Sequence, residues 1–368
     1  MLIDNFKLEN WINSRENQTK YDLSMTCPKA LTLNELSQIC DCDFSKIKDI
    51  PLNYGSLHGS KELKQAICGL YDNQQPENIT VTLGGIGANR LVIETLINKG
   101  DKIVCICPTY QQVYTLAKFY GANVKLFFLE KDFSLDIEKF EQVVGQDTKL
   151  ICITNPGNPT GLCIKEIDKI IDIANSIGAY IFCDEVYRGL KHSENSYSNS
   201  ISDIYEKGIT TGSMSKTYSL AGIRLGWICA NKNIIEKINL NREYDTISIS
   251  ILDDFVATVA LNNHKKIIQR NLKIIQENKA ILDIFISNSK CLSWVKEPNA
   301  GTIGAVKYNL EKSSDDFCQS IFENTGILLI PASVFDTEEH YFRIGYAMDK
   351  EYLNNALNIF EEYLKRIF

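Results

Sequence analysis

From about residue 77 the chain alternates short apolar, β-branched runs with longer stretches whose apolar residues recur every three or four positions. The runs NITVTL, DKIVCICP, NVKLFFL, TKLICITN, AYIFCDE, KGITTGS and RLGWICA are predicted strands. Between them ANRLVIETLINKG, QQVYTLAKFYG and EIDKIIDIANSIG have helical spacing, and the last ends in Gly178, as helix C-termini commonly do. This alternation predicts an α/β fold, a mostly parallel sheet sandwiched by helices, with a smaller α+β domain after it. A long helix over about 262–286 carries an apolar stripe from Ile267 and Ile268 to Leu282 and Phe285 and is expected to link the two. The expected division is an N-terminal arm and part of the small domain over 1–45, a large domain over 46–265, and the linking helix with the C-terminal small domain over 266–368.

In parallel sheets ligands sit at the carboxyl ends of strands, so the residues just after each strand carry most information. Here they are GGIGAN (84–89), Pro108-Thr109-Tyr110, NPGNPTG (155–161), Asp184-Glu185-Val186-Tyr187, and SMSKTYSLAGIRLGW (213–227). Each has an ordinary structural explanation. GGIGAN lacks the third glycine of a dinucleotide fingerprint, NPGNPTG is a proline-stiffened turn, Asp184 would serve as a helix cap, and Tyr110 as core.

Composition narrows the possibilities. The chain has 368 residues, 44% hydrophobic and 23% charged, with a net charge of −7. That acidity and the absence of a basic run oppose contact with nucleic acid or an anionic membrane. No apolar stretch spans a bilayer, and MLIDNFKLENW lacks the core of a signal peptide, so a soluble, cytoplasmic protein is expected. Five of the twelve cysteines lie in the predicted strands as small buried residues, and with four scattered histidines no metal site is expected.

One cofactor needs all of the post-strand groups together. Pyridoxal phosphate takes a lysine for an imine, a carboxylate for its ring nitrogen, donors for its phenolate oxygen, an aromatic face and a phosphate cradle. A glycine turn entering a helix supplies N–H groups for the phosphate, and an arginine a bidentate charge. At this point the sequence resembles the class I/II aminotransferases of pyridoxal-phosphate fold type I over nearly its whole length. The resemblance rests on S-x-S-K with an arginine eight residues after the lysine, D-x-x-Y, N-P-x-N-P-T-G, TLGGIGA and FRIGY. It implies that Lys216 binds the cofactor covalently and that Asp184 pairs with its ring nitrogen. Asn158 and Tyr187 would bond the phenolate oxygen, Tyr110 stack on the ring, and Gly85, Ile86, Gly87, Ser213, Ser215 and Arg224 hold the phosphate. NYGSLHGSKELKQAI (53–67) implies that Tyr54 reaches the phosphate of a neighbouring subunit, which makes the protein a homodimer with a shared site. Arg343 would grip the substrate α-carboxylate, and the freed Lys216, its pKa lowered in a desolvated cationic site, would be the base.

The resemblance implies transamination first, and with no obvious second arginine for a dicarboxylate side chain a neutral or basic amino acid is the expected substrate. FKLENW and REYDTISISILDDFVATVAL (242–261) also resemble the branch that contains capreomycidine synthase, which implies elimination or cyclisation of a hydroxylated arginine as the alternative. Glu9, in an arm expected over the active-site mouth, would bind a guanidinium, or else be a solvated surface charge. A sensor fused to a DNA-binding module is the non-enzymatic reading, and the chain has no helix-turn-helix region to support it.

Overall fold

The computed structural model describes residues 3–193, 197–337 and 340–367. Its strands are β1 (Tyr21–Asp22), β2 (Ile79–Leu83), β3 (Lys102–Cys107), β4 (Asn123–Phe128), β5 (Thr148–Thr154), β6 (Tyr180–Asp184) and β7 (Gly208–Ser213). They continue with β8 (Leu225–Ala230), β9 (Leu292–Trp294), β10 (Ile303–Tyr308), β11 (Ile327–Leu328), β12 (Ile330–Pro331) and β13 (Tyr341–Gly345). The seven anticipated strands are β2 to β8, and they form one sheet in the order β2-β8-β7-β6-β5-β3-β4. β3 to β7 pair in parallel, and only β8 runs against its neighbours.

Alternate residues of the central strands feed two different cores. Leu150 and Cys152 of β5 pack with Cys105, Cys107 and Phe182 under the Gly84–Leu96 helix, whereas Ile151 and Ile153 join Val104, Ile106 and Cys183 under the Ile167–Ile177 helix. Both faces are therefore covered, which is why these strands read as unbroken apolar runs. Each fully buried Ile or Leu stabilises the fold by roughly 1.5–3 kcal/mol. The cysteines do the same on a smaller scale: all twelve are free, and those in β3, β5, β6 and β8 are buried.

A second, antiparallel sheet has the order β12-β13-β10-β9. It packs on the His264–Asn288, Ser314–Thr325 and Lys350–Ile367 helices. The long helix starts two residues later than its apolar stripe predicts, because Asn263 leaves helical geometry at φ −115°. A separate helix, Ile251–Asn262, precedes it, capped by the Ser250 side chain on the Asp253 N–H. The N-terminal segment joins the C-terminal elements: β1 pairs in parallel with β11, and Gly345 N–H donates to the Leu23 carbonyl. Among the described residues no helix is long and apolar enough to cross a membrane.

Candidate active site

Strand register brings the first groups together. Thr154, Asp184 and Thr211 are direct partners across β5, β6 and β7, at the carboxyl ends of the strands. Asp184 is 5% exposed and accepts from Asn89 Nδ2 at 2.8 Å and from the Val186 N–H at 3.1 Å. Burial pushes its carboxyl above the usual range, and Asn89, Val186 and Lys216 pull it back.

Beside Asp184 lies a cradle made of backbone. The Gly84–Leu96 helix begins without any side-chain cap, so its first-turn N–H groups face outward. Gly84 has φ +70°, and a Cβ there would stand 2.9 Å from Arg224 Nη2. A Cβ on Gly85 would touch Ser213 Cβ at 3.4 Å, and one on Gly226 would meet the Gly84 carbonyl carbon at 2.4 Å. Gly84, Gly85, Ser213 and Arg224 thus converge, with Ser215 N–H 3.4 Å from Ser213 Oγ. Gly87 follows in the same first turn, and the Ile86 carbonyl accepts from Gln112 Nε2 at 2.7 Å. Arg224 itself is exposed, sits in the left-handed region at φ +46°, and forms no ion pair among the described residues.

Lys216 projects against the N-terminal segment. Its Nζ donates to Thr26 Oγ1 and lies 3.5 Å from Cys27 Sγ. Burial opposes its charge, but Cys27 and Tyr187 outweigh that, and the amine sits above its ordinary value. The amine so placed does not show the lowering expected of the freed base: Cys27 and Tyr187 favour its charge, and the opposing cation, Arg343, has the smaller effect. Tyr187 is 2% exposed, its phenol raised by burial and lowered by Lys216 and Arg343.

Arg343, on β13, is 1% exposed. It donates through Nη1 to Asn158 Oδ1 at 3.1 Å and through Nη2 to the Ser24 carbonyl at 2.7 Å, while Nε is buried without a partner. Burial lowers its pKa, with Tyr187, Asp22 and Glu9 supporting the cation.

The N-terminal arm closes the mouth. Glu9 is part-buried, and its Oε1 accepts from Tyr110 Oη at 2.8 Å, so it is no solvated surface charge. The Tyr110 ring packs on Phe6 with centroids 4.9 Å apart, and burial, then Glu9, raises its phenol. Lys7 bonds Asp336, which also accepts from Tyr114 Oη at 2.5 Å, and Trp11 Nε1 donates to the Leu329 carbonyl at 2.9 Å. The arm therefore ties the large sheet's loops to the second sheet.

A model of the family Aminotransferase class I and II matches residues 9–360. The chain belongs to that family. A pyridoxal-phosphate-dependent aminotransferase from Streptococcus suis is 37% identical in sequence, with a TM-score of 0.95 over 100% of this chain and 99% of that one. Capreomycidine synthase from Streptomyces vinaceus is 24% identical over 97% of this chain and 93% of its own length. Aspartate aminotransferase from Pyrococcus horikoshii is 28% identical over 85% of this chain and 83% of its own. This aminotransferase-family enzyme uses pyridoxal phosphate. The residues present fit that cofactor: an uncapped, glycine-lined helix start with an unpaired arginine suits a dianionic phosphate, and a fixed buried carboxylate suits a ring nitrogen.

Tyr54 is the one anticipated site residue that stands apart, 78% exposed within its own chain. Four others went unanticipated. Ser24, Thr26 and Cys27 lie in LSMTCP, an extended segment with no motif, and β1–β11 pairing with the Gly345–Leu23 and Thr302–Thr26 hydrogen bonds carries it to Lys216 and Arg343. Asn89 stood in plain view as the last residue of GGIGAN, where four residues, about one helical turn, separate it from Gly85.

Proposed function

We propose that this aminotransferase-family enzyme transfers the amino group of a neutral or basic α-amino acid, in a homodimer whose two copies share each site. Bound pyridoxal phosphate would supply an electron sink for the charge left when the α proton departs. Lys216 would anchor it through Nζ, and the same amine would hold and return the α proton of the substrate. Asp184 faces the ring nitrogen, Asn158 and Tyr187 the phenolate oxygen, and Tyr110 the ring. The backbone at Gly85, Ile86 and Gly87, with Ser213, Ser215 and Arg224, holds the phosphate, and Tyr54 of a second copy completes it. Arg343 pairs with the substrate carboxylate through a guanidinium fork.

The observation that carries the substrate class is the Glu9 carboxylate, held by Tyr110 on an arm beside Arg343. A carboxylate there repels aspartate or glutamate side chains and accepts a guanidinium in two hydrogen bonds. Lys7, two residues away, is taken up by Asp336 and does not neutralise it. Titration of holoenzyme absorbance with arginine, citrulline and aspartate tests the reading. Arginine is expected to bind best, and Glu9→Gln to weaken it about 10- to 100-fold, the worth of a hydrogen bond to a charged group. Tight aspartate binding with none of arginine sinks it.

A second reading, elimination or cyclisation of a hydroxylated arginine, is favoured by the same carboxylate and by the likeness to capreomycidine synthase. Product analysis with and without a keto acid separates the two: transamination needs the acceptor, and cyclisation turns over without it.

A further inference from the structure

The Gly84–Leu96 helix does two things at once. Its first turn forms the glycine cradle, and one turn later Asn89 reaches the carboxylate at the end of β6. Asn89 is 2% exposed and Thr211 fully buried. Thr211 Oγ1 donates to Asn89 Oδ1 at 2.7 Å, and Asn89 Nδ2 donates to Asp184 Oδ2 at 2.8 Å. The threonine fixes which way the amide points. With its oxygen occupied by a hydroxyl donor, the NH2 end is turned to Asp184. Thr211 is in turn the register partner of Asp184, so both side chains rise from adjacent strands on one face. The second carboxylate oxygen accepts from the Val186 N–H.

Such an arrangement favours one protonation state. An amide NH2 and a backbone N–H both donate, and neither can accept a proton from a carboxylic acid. Burial pushes the carboxyl towards its neutral form, and these two donors oppose that by favouring the charged one. The other titratable groups beside it are Lys216, which favours the charge, and Tyr110 and Cys183, which couple to it more weakly.

We propose that Asn89, oriented by Thr211, is a positioning residue that keeps Asp184 ionised and aimed at the cofactor's ring nitrogen. One helix thereby sets the spacing between the phosphate cradle and the ring-pairing carboxylate. This rests on the reading that Asp184 faces the ring nitrogen, and the test separates the two.

The measurement is the nitrogen-15 shift of holoenzyme loaded with ring-labelled pyridoxal phosphate, at fixed neutral pH, together with the cofactor dissociation rate. Wild type is expected to show a protonated ring nitrogen. Asn89→Ala should move the proton towards Asp184, so the shift travels a large part of the way to the neutral value, and cofactor should leave about tenfold faster or more. Thr211→Val should move the signal in the same direction by less, and Thr211→Ser should restore it. Asp184→Ala is the control: if it leaves the ring nitrogen protonated, the underlying reading fails. If Asp184→Ala shifts the signal while Asn89→Ala and Thr211→Val both match wild type, Asn89 has only a packing role and the proposal is overturned. If Asn89→Ala does not fold, the Thr211 pair decides alone, since loss and restoration of one hydroxyl distinguishes orientation from packing.

Discussion

Tyr110 and Glu9, 101 residues apart in the chain, share a hydrogen bond of 2.8 Å at the mouth of the site. The phenol holds the carboxylate in place, and burial together with that carboxylate raises the phenol well above its ordinary range, so it stays a donor. Tyr110→Phe keeps the ring and removes the tether. Arginine binding is expected to weaken about 3- to 10-fold through a freer Glu9, while binding of a neutral amino acid stays within twofold. Equal loss for both ligands in an absorbance titration would count against the tether.

Lys216 is expected to be the covalent anchor. Borohydride treatment of wild type should fix cofactor to the protein, detectable by mass on the peptide that contains Lys216. Lys216→Ala should fold, bind cofactor reversibly and carry none after reduction. Cofactor fixed elsewhere in that variant would refute the assignment.

Asp184 and Arg224 should fail in different ways. Asp184→Ala is expected to slow proton removal about 10²- to 10³-fold, as loss of a preorganised charge partner does. Arg224→Ala should mainly weaken cofactor, by about 30- to 1,000-fold, because it deletes a bidentate charge on the phosphate. Near-normal turnover in Asp184→Ala would overturn the proposed mechanism.

Tyr54 is exposed in its own chain and lies near other uncovered apolar side chains in sequence, Leu52 and Leu57. Mixing inactive Tyr54→Ala with inactive Lys216→Ala should restore part of the activity, since half of the sites in a mixed dimer are then intact. Absence of recovery, once subunit exchange is demonstrated by mass, rules out a shared site.

His192 provides a pH signature of the fold. Its Nε2 donates to the Gly301 carbonyl at 2.9 Å, and burial holds its pKa below the ordinary 6.5. The unfolded chain therefore binds more protons than the folded one as pH drops through 6.5, and stability falls in that direction. Melting temperatures between pH 7.5 and 5 should decline less steeply in His192→Gln than in wild type. Parallel profiles would show that the imidazole titrates alike in both states.

Much of the molecule was legible in its residues. The seven strands of the main sheet announced themselves because both sheet faces are covered, which forces near-continuous apolar runs. The convergence of Asp184, Lys216 and Arg224 at one end of the sheet was legible because ligands in such sheets meet the strands at their carboxyl ends, where these residues fall. The boundary at Asn263 was not, since an apolar stripe carries through a single non-helical residue. Nor were the roles of Ser24, Thr26 and Cys27: they reach Arg343 and Lys216 through the pairing of β1 with β11, some 300 residues apart, and no local pattern encodes a partner at that distance. The sequence offered Glu9 as either a surface charge or a ligand group, and Asn89 as the end of a glycine turn. Tertiary structure alone set Glu9 against Tyr110 and Asn89 between Thr211 and Asp184, because a hydrogen bond depends on where its partners stand in space and not on the identity of the residue alone.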